Sequence, residues 1–171
     1  PKDMKAIVNI AKNNDVELKI ISSALSANAM AKENFAQKIL SFYNFNVRGK
    51  IFAVWGLSFK PETNDLREAP SIDIIEKLLE HEAIIKAYDP KAVQEAKKIF
   101  LDKITYSNSK EETLENASGL IILTEWEEFK SPDFNLIQEK LKDKIVFDGR
   151  NIFEKEKLKS YNLEYICVGK N

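Results

Sequence analysis

Two cations on one long loop are the first residues of this chain whose types and spacing could do chemistry. Lys60 and Arg67 lie between an apolar run, Ile51 to Gly56, and a helical pattern that begins at Ser71. An ammonium and a guanidinium held on a loop can donate to phosphate or carboxylate oxygens, and Phe59 beside them adds an aromatic or backbone surface. The plain alternative for Lys60 is a solvated side chain, and for Arg67 a local ion pair with Asp65 or Glu68. A third cation, Arg150, stands in the run Asp148-Gly149-Arg150-Asn151 after another apolar stretch. Its guanidinium fork suits phosphate oxygens better than a point charge would, and its plain alternative is a helix or turn contact. Near the start, Asp3 follows Lys2; read alone, Asp3 is an acid at a helix start, favoured by the dipole by under about 1 kcal/mol.

Several chemistries are absent from the pattern. A dinucleotide fingerprint needs glycines two and five places after Gly56, where Ser58 and Pro61 stand, so the domain is not expected to hold NAD in the usual Rossmann manner. Asp89 ends the next apolar run but lies much further past Gly56 than the roughly 20 residues of a ribose-binding acid, and it reads as a structural Asp-Pro turn. Cys167 and His81 are single, which leaves no internal disulfide and no metal cluster. Cys167 in the last strand reads as a small buried hydrophobe, His81 as a helix cap, and Trp55 and Trp126 as packing residues.

The elements that must position these residues follow from periodicity. Lys2 to Asn14 reads as a short helix, and Glu17 to about Tyr43 as a long one, with apolar residues at spacings of three and four and no Gly or Pro inside. Strands are predicted over 51–56, 84–88, 103–106, 119–124, 144–147 and 163–168, and helices over 71–81, 90–100, 109–116 and 133–142, with a helical turn near 154–158. Strand-helix alternation with short apolar strands predicts an α/β fold. It should be a Rossmann-like parallel sheet with helices on both faces, preceded by a long helical segment. Two units are expected, a helical segment over 1–45 and the sheet domain over 46–171.

With 26 Lys+Arg against 27 Asp+Glu, 44% hydrophobic and 31% charged residues, the composition is that of a soluble globular chain. Nothing in it calls for nucleic acid or a membrane, and no apolar run approaches the roughly 20 residues of a bilayer span. The single cysteine suits a reducing compartment, and the cytoplasm is expected. The chain begins Pro-Lys-Asp-Met rather than with methionine and is expected to be an excerpt.

Residues 56 to 71, Gly-Leu-Ser-Phe-Lys-Pro, then Thr63, then Asp65-Leu66-Arg67-Glu68-Ala69-Pro70-Ser71, are very similar to the loop that opens the C-terminal domain of the UDP-glucose/GDP-mannose dehydrogenase family. Tyr88-Asp89-Pro90, Thr124-Glu125-Trp126 and Asp148-Gly149-Arg150-Asn151 resemble later motifs of that domain, in order. Pro1-Lys2-Asp3 resembles the segment directly after the family's nucleophilic cysteine, so the likeness covers the whole chain. Asn64 departs from the more frequent Asp, and Asn28 matches an asparagine common in the family's central helix.

The resemblance implies the C-terminal part of an NAD-dependent UDP-glucose 6-dehydrogenase. Such enzymes oxidise a sugar C6 alcohol to a carboxylate by two hydride transfers, through a thiohemiacetal and a thioester on the cysteine. It implies that Asp3 is catalytic, helping to position or activate water. Phe59, Lys60 and Arg150 would bind the nucleotide sugar, and Lys2 and Arg67 would steady an NAD held mainly by a domain outside this chain. This chain alone, lacking the cysteine and the dinucleotide fold, is expected to be inactive. The long helix would build a homodimer. Alternatives are another sugar nucleotide, GDP-mannose or a UDP-N-acetylhexosamine, or a non-catalytic nucleotide-binding module.

Overall fold

Largely apolar runs make the strands in the middle of the sheet. The computed structural model describes residues 2–169, apart from the side chain of Lys2. Six strands, β1 (Ile51–Trp55), β2 (Ile84–Tyr88), β3 (Thr105–Tyr106), β4 (Gly119–Ile122), β5 (Ile145–Asp148) and β6 (Glu164–Cys167), form one sheet in the order β3-β2-β1-β4-β5-β6. Every pairing is parallel. The helices between them are α3 (Pro70–Glu80), α4 (Val93–Phe100), α5 (Lys110–Thr113), α6 (Glu127–Lys130), α7 (Phe134–Lys140) and α8 (Lys155–Ser160), after an opening pair, α1 (Lys2–Lys12) and α2 (Lys19–Phe42). The α/β, Rossmann-like architecture read from periodicity is thus the observed one.

Burial on both faces of β1, β4 and β5 explains why these strands lack polar alternation. In β1, Phe52 and Val54 join one core and Ala53 and Trp55 the other. The first core is closed by Ile74, Ile75 and Leu78 of α3, by Ala96 and Phe100 of α4, and by the second half of α2. The other face is covered by Leu114, Phe129, Phe134, Ile137 and Leu158. A buried side chain of this size stabilises the fold by about 1.5–3 kcal/mol.

The long helix divides by burial. Phe35, Ala36, Ile39 and Leu40, at the three-and-four spacing of one helix face, are at most 3% exposed, and they clamp α2 to the sheet. In the first half Ile20 is 86% and Met30 60% exposed. The helix stops after Phe42 because Asn44 and Phe45 take left-handed backbone, φ 50° and 61°, and the Phe45 amide folds back on the Leu40 carbonyl at 2.8 Å.

Some boundaries differ from those read in the sequence. β3 is two residues long, and Glu127–Lys130, with no expected regular structure, forms a short helix. The apolar residue Ile104, which suggested a longer strand, is buried in the first core from a turn. Phe129 anchors the short helix against Trp55, ring centres 5.4 Å apart.

Candidate functional site

Reversal of strand order between β1 and β4 puts a crevice at their carboxyl ends, the usual ligand position in such sheets. Here side chains fill it. Gly56 leaves β1 at φ 90°, and a Cβ on it would stand 2.5 Å from the Thr124 Cβ, so glycine alone lets the two loops touch. Thr124 donates its hydroxyl to the Ser58 carbonyl, and Ser71, at the start of α3, donates to the Leu57 carbonyl. Beneath them the buried Asp89 carboxylate accepts from the amides of Leu57, at 2.7 Å, and Ser58, from the Ser58 hydroxyl and from the Trp126 indole. Its other oxygen caps the amides of Lys91 and Ala92. Asp89 is therefore a fastening among three loops as well as the Asp-Pro turn expected.

The strapped backbone of 56–58 leaves the following residues as the presented surface. The Phe59 amide donates to the Asp65 carbonyl at 2.8 Å, closing a small loop with Lys60 inside it. Phe59 packs partly on the first core, while Lys60 is exposed and makes no hydrogen bond or ion pair among the described residues. Arg67 is exposed and paired to Asp65 at 2.6 Å, its two-pronged contact using Nε and a terminal nitrogen. Of the two acids the sequence offered as its partner, Asp65 has it. Arg67 lines a hollow of about 670 Å³ with Thr63, Asn64, Glu95 and Lys98.

Arg150 reaches the same edge from the loop after β5, separated from the β1 loop by β4. The buried Asp148 carboxylate shapes its turn, accepting the amides of Arg150, Ile152 and Phe153 and the hydroxyl of Tyr165. Gly149 is required because a Cβ there would lie 2.9 Å from the Ile122 carbonyl oxygen. The Arg150 Nε donates to the Glu125 carboxylate, which leaves the rest of the guanidinium fork available. Among the described residues, none of five hollows of about 210 to 670 Å³ has Lys60 or Arg150 in its lining.

Asp3 is exposed in the first turn of α1, and the Lys2 side chain lies outside the described residues. Phe59, Lys60 and Arg67 thus share the loop that follows β1 and Arg150 stands in the loop that follows β5, two strands away at the carboxyl ends of the sheet, while Asp3 lies on the separate helix α1. Reading residues alone passed over Glu125 and the linking role of Trp126. Their adjacency after an apolar strand was visible, but their partners lie far off in sequence.

A parallel six-stranded sheet wound in both directions from β1 and β4, with helices on both faces, is a Rossmann-like α/β domain. The chain belongs to the UDP-glucose/GDP-mannose dehydrogenase family, whose UDP binding domain is matched over residues 53–155. It is 34% identical over 170 residues to UDP-glucose 6-dehydrogenase TuaD of Bacillus subtilis (strain 168), covering 99% of this chain and 37% of that relative. To UDP-glucose 6-dehydrogenase YwqF of the same organism it is 35% identical, over 99% of this chain and 38% of the relative. Among solved structures, a UDP-glucose dehydrogenase from Pyrobaculum islandicum superposes with a TM-score of 0.79 at 29% identity, over 99% of this chain and 36% of that one. The chain therefore spans well under half the length of these relatives and corresponds to a C-terminal fragment of the family. No helix among the described residues is long and apolar enough to cross a membrane.

Proposed function

We propose that this chain is the nucleotide-sugar-binding part of an NAD-dependent UDP-glucose 6-dehydrogenase, which oxidises UDP-glucose to UDP-glucuronate in two hydride transfers. The observation that carries this is the placement of Lys60, free of any partner among the described residues, and Arg150, braced by Glu125, on loops at one edge of the sheet. Two cations on loops beyond the strand ends suit a diphosphate, and an arginine with one edge already paired keeps its other donors oriented. Phe59 supplies the adjoining aromatic surface.

NAD, when bound, accepts the hydrides. This sheet offers it little: the crevice where a dinucleotide would sit is filled by Ser58, Thr124, Trp126 and Asp89. Arg67, exposed at the rim, suits the role of an outer contact to a cofactor held by another domain, and Lys2 is assigned the same role. Asp3 is assigned the catalytic task of positioning or activating water. The chain by itself is expected to bind without turning over. The exposed first half of α2, with Ile20 and Met30 bare, supports a homodimer built through that helix.

Calorimetry of this chain with UDP tests the reading. Binding should be measurable and should weaken about tenfold or more in Lys60→Ala and in Arg150→Ala, the loss of a charge-assisted contact. Affinity unchanged in both variants would refute the assignment.

A further inference from the structure

Charged residues from four separate pieces of the chain converge where α1, α2, α3 and the loop between β1 and α3 meet. Lys5 of α1 holds the Glu68 carboxylate at 2.6 Å. Lys32 of α2 reaches the Glu68 carbonyl oxygen at 3.3 Å and the Asp73 carboxylate of α3 at 2.6 Å, with its own side chain 13% exposed. Together with Asn28 and Glu33 these residues line a hollow of about 210 Å³. Glu68 sits at φ 64°, a left-handed backbone that glycine adopts freely and a residue with a side chain adopts only at a cost. An outlier held from two other elements is where a structural task should be sought.

The task follows from what Glu68 joins. It directly follows Arg67 on the loop that carries Phe59 and Lys60, while Lys5 lies one turn or less from Asp3. Apolar packing gives α1 little hold, since Ile7 and Ile10 are 47% and 63% exposed. A partly exposed ion pair adds little to global stability, so its effect falls on where α1 sits. We propose that Glu68 is a positioning residue, locking α1 to the cationic loop through Lys5 so that nucleotide held by the loop also restrains α1 and the Asp3 it carries. This rests on the nucleotide-binding role proposed above.

The ion pair carries its own signature in pH. The groups facing Glu68 are Lys5 from α1, Lys32 and Glu33 from α2, and Asp73 from α3. The hydrogen bond from Lys5 comes first among the causes that hold the Glu68 carboxyl below the usual range; partial burial and Asp73 oppose it. A lowered carboxyl pKa means that the lock is intact above the ordinary carboxylate range and is lost as pH falls through the lowered value.

Hydrogen exchange of the α1 amides in this chain, with and without UDP, tests the proposal. In wild type, saturating UDP should raise α1 protection about threefold, and Glu68→Gln and Lys5→Met should abolish that rise while keeping UDP affinity within about twofold. An equal UDP-induced rise in Glu68→Gln would overturn the lock. A second arm uses no nucleotide: wild-type α1 protection should exceed that of Glu68→Gln at pH 7 and converge on it as acid titrates the Glu68 carboxylate through its lowered value. Identical protection at pH 7 would also overturn it. Failure of the wild-type chain to bind UDP would instead defeat the functional reading, and the second arm would then decide the lock.

Discussion

The indole nitrogen of Trp126 donates to the Asp89 carboxylate across 3.2 Å, and the same oxygen receives the amides of Leu57 and Ser58. One buried carboxylate thus ties the loops leaving β1, β2 and β4 at the point where strand order reverses. With that crevice filled from within, the ligand contacts proposed above fall to Lys60, Arg67 and Arg150 on the surrounding loops. The fastening fixes the backbone of Leu57 and Ser58, from which the loop with Lys60 and Arg67 departs, and donors held in place before a ligand arrives bind it at a lower ordering cost.

Asp89→Ala should therefore be costly. It leaves the amides of Leu57, Ser58, Lys91 and Ala92 without their acceptor in a buried place, and urea unfolding should register a loss of about 3 kcal/mol or more. Trp126→Phe removes one donor and should cost nearer to about 1 kcal/mol. A loss below that of Trp126→Phe in the alanine variant would contradict the fastening role.

Alkali should weaken the fold through tyrosine. Burial, then the neighbouring Asp148 charge and hydrogen bond, raise the Tyr165 hydroxyl well above its ordinary value, and burial first of all does the same for Tyr43. A raised tyrosine pKa contributes stability that is whole below about pH 10 and is lost as pH rises further, because the unfolded chain ionises there and the folded chain does not. Each such group should add a slope of about 1.4 kcal/mol per pH unit. Denaturation midpoints across the alkaline range should fall less steeply in Tyr165→Phe, and parallel curves would count against the assignment.

Glu125 should act on nucleotide through Arg150. Glu125→Gln keeps the shape of the side chain but loosens the brace, and UDP should bind several-fold more weakly, less than the roughly tenfold loss in Arg150→Ala. In the double variant the two losses should not add, since both act through one guanidinium. Additive losses in calorimetry would place Glu125 outside this coupling.

Light scattering should find a dimer. Ile20→Glu together with Met30→Glu puts charge on the exposed half of α2 and should shift the chain to monomer, with no loss of the sheet's near-native unfolding midpoint. A wild-type chain that is monomeric at working concentration would end the dimer proposal.

Much of the architecture is legible in the sequence. The runs Ile51–Trp55, Gly119–Ile122 and Ile145–Phe147 are apolar at every step because both faces of the sheet are covered, and such runs announce themselves. The third strand was harder: Ile104 is apolar because it reaches the core from a turn, and a periodicity argument cannot separate the two causes. The cationic rim was legible as residue types on a loop, and the motif over residues 56 to 71 as a family likeness. Which acid each cation meets was not.

Local chemistry, then, is what the chain of letters determined by itself: where strands and helices alternate, which loops carry Lys60, Arg67 and Arg150, and that Gly56 opens no dinucleotide turn. Tertiary structure alone decided the pairings: Asp65 rather than Glu68 for Arg67, Lys5 for Glu68, Glu125 for Arg150, and Asp89 for Trp126. The reason is geometric. Contacts within a helix or strand follow from neighbours three, four or two places away, whereas these, Asp65 apart, depend on the spatial order of strands and on one left-handed residue at Glu68.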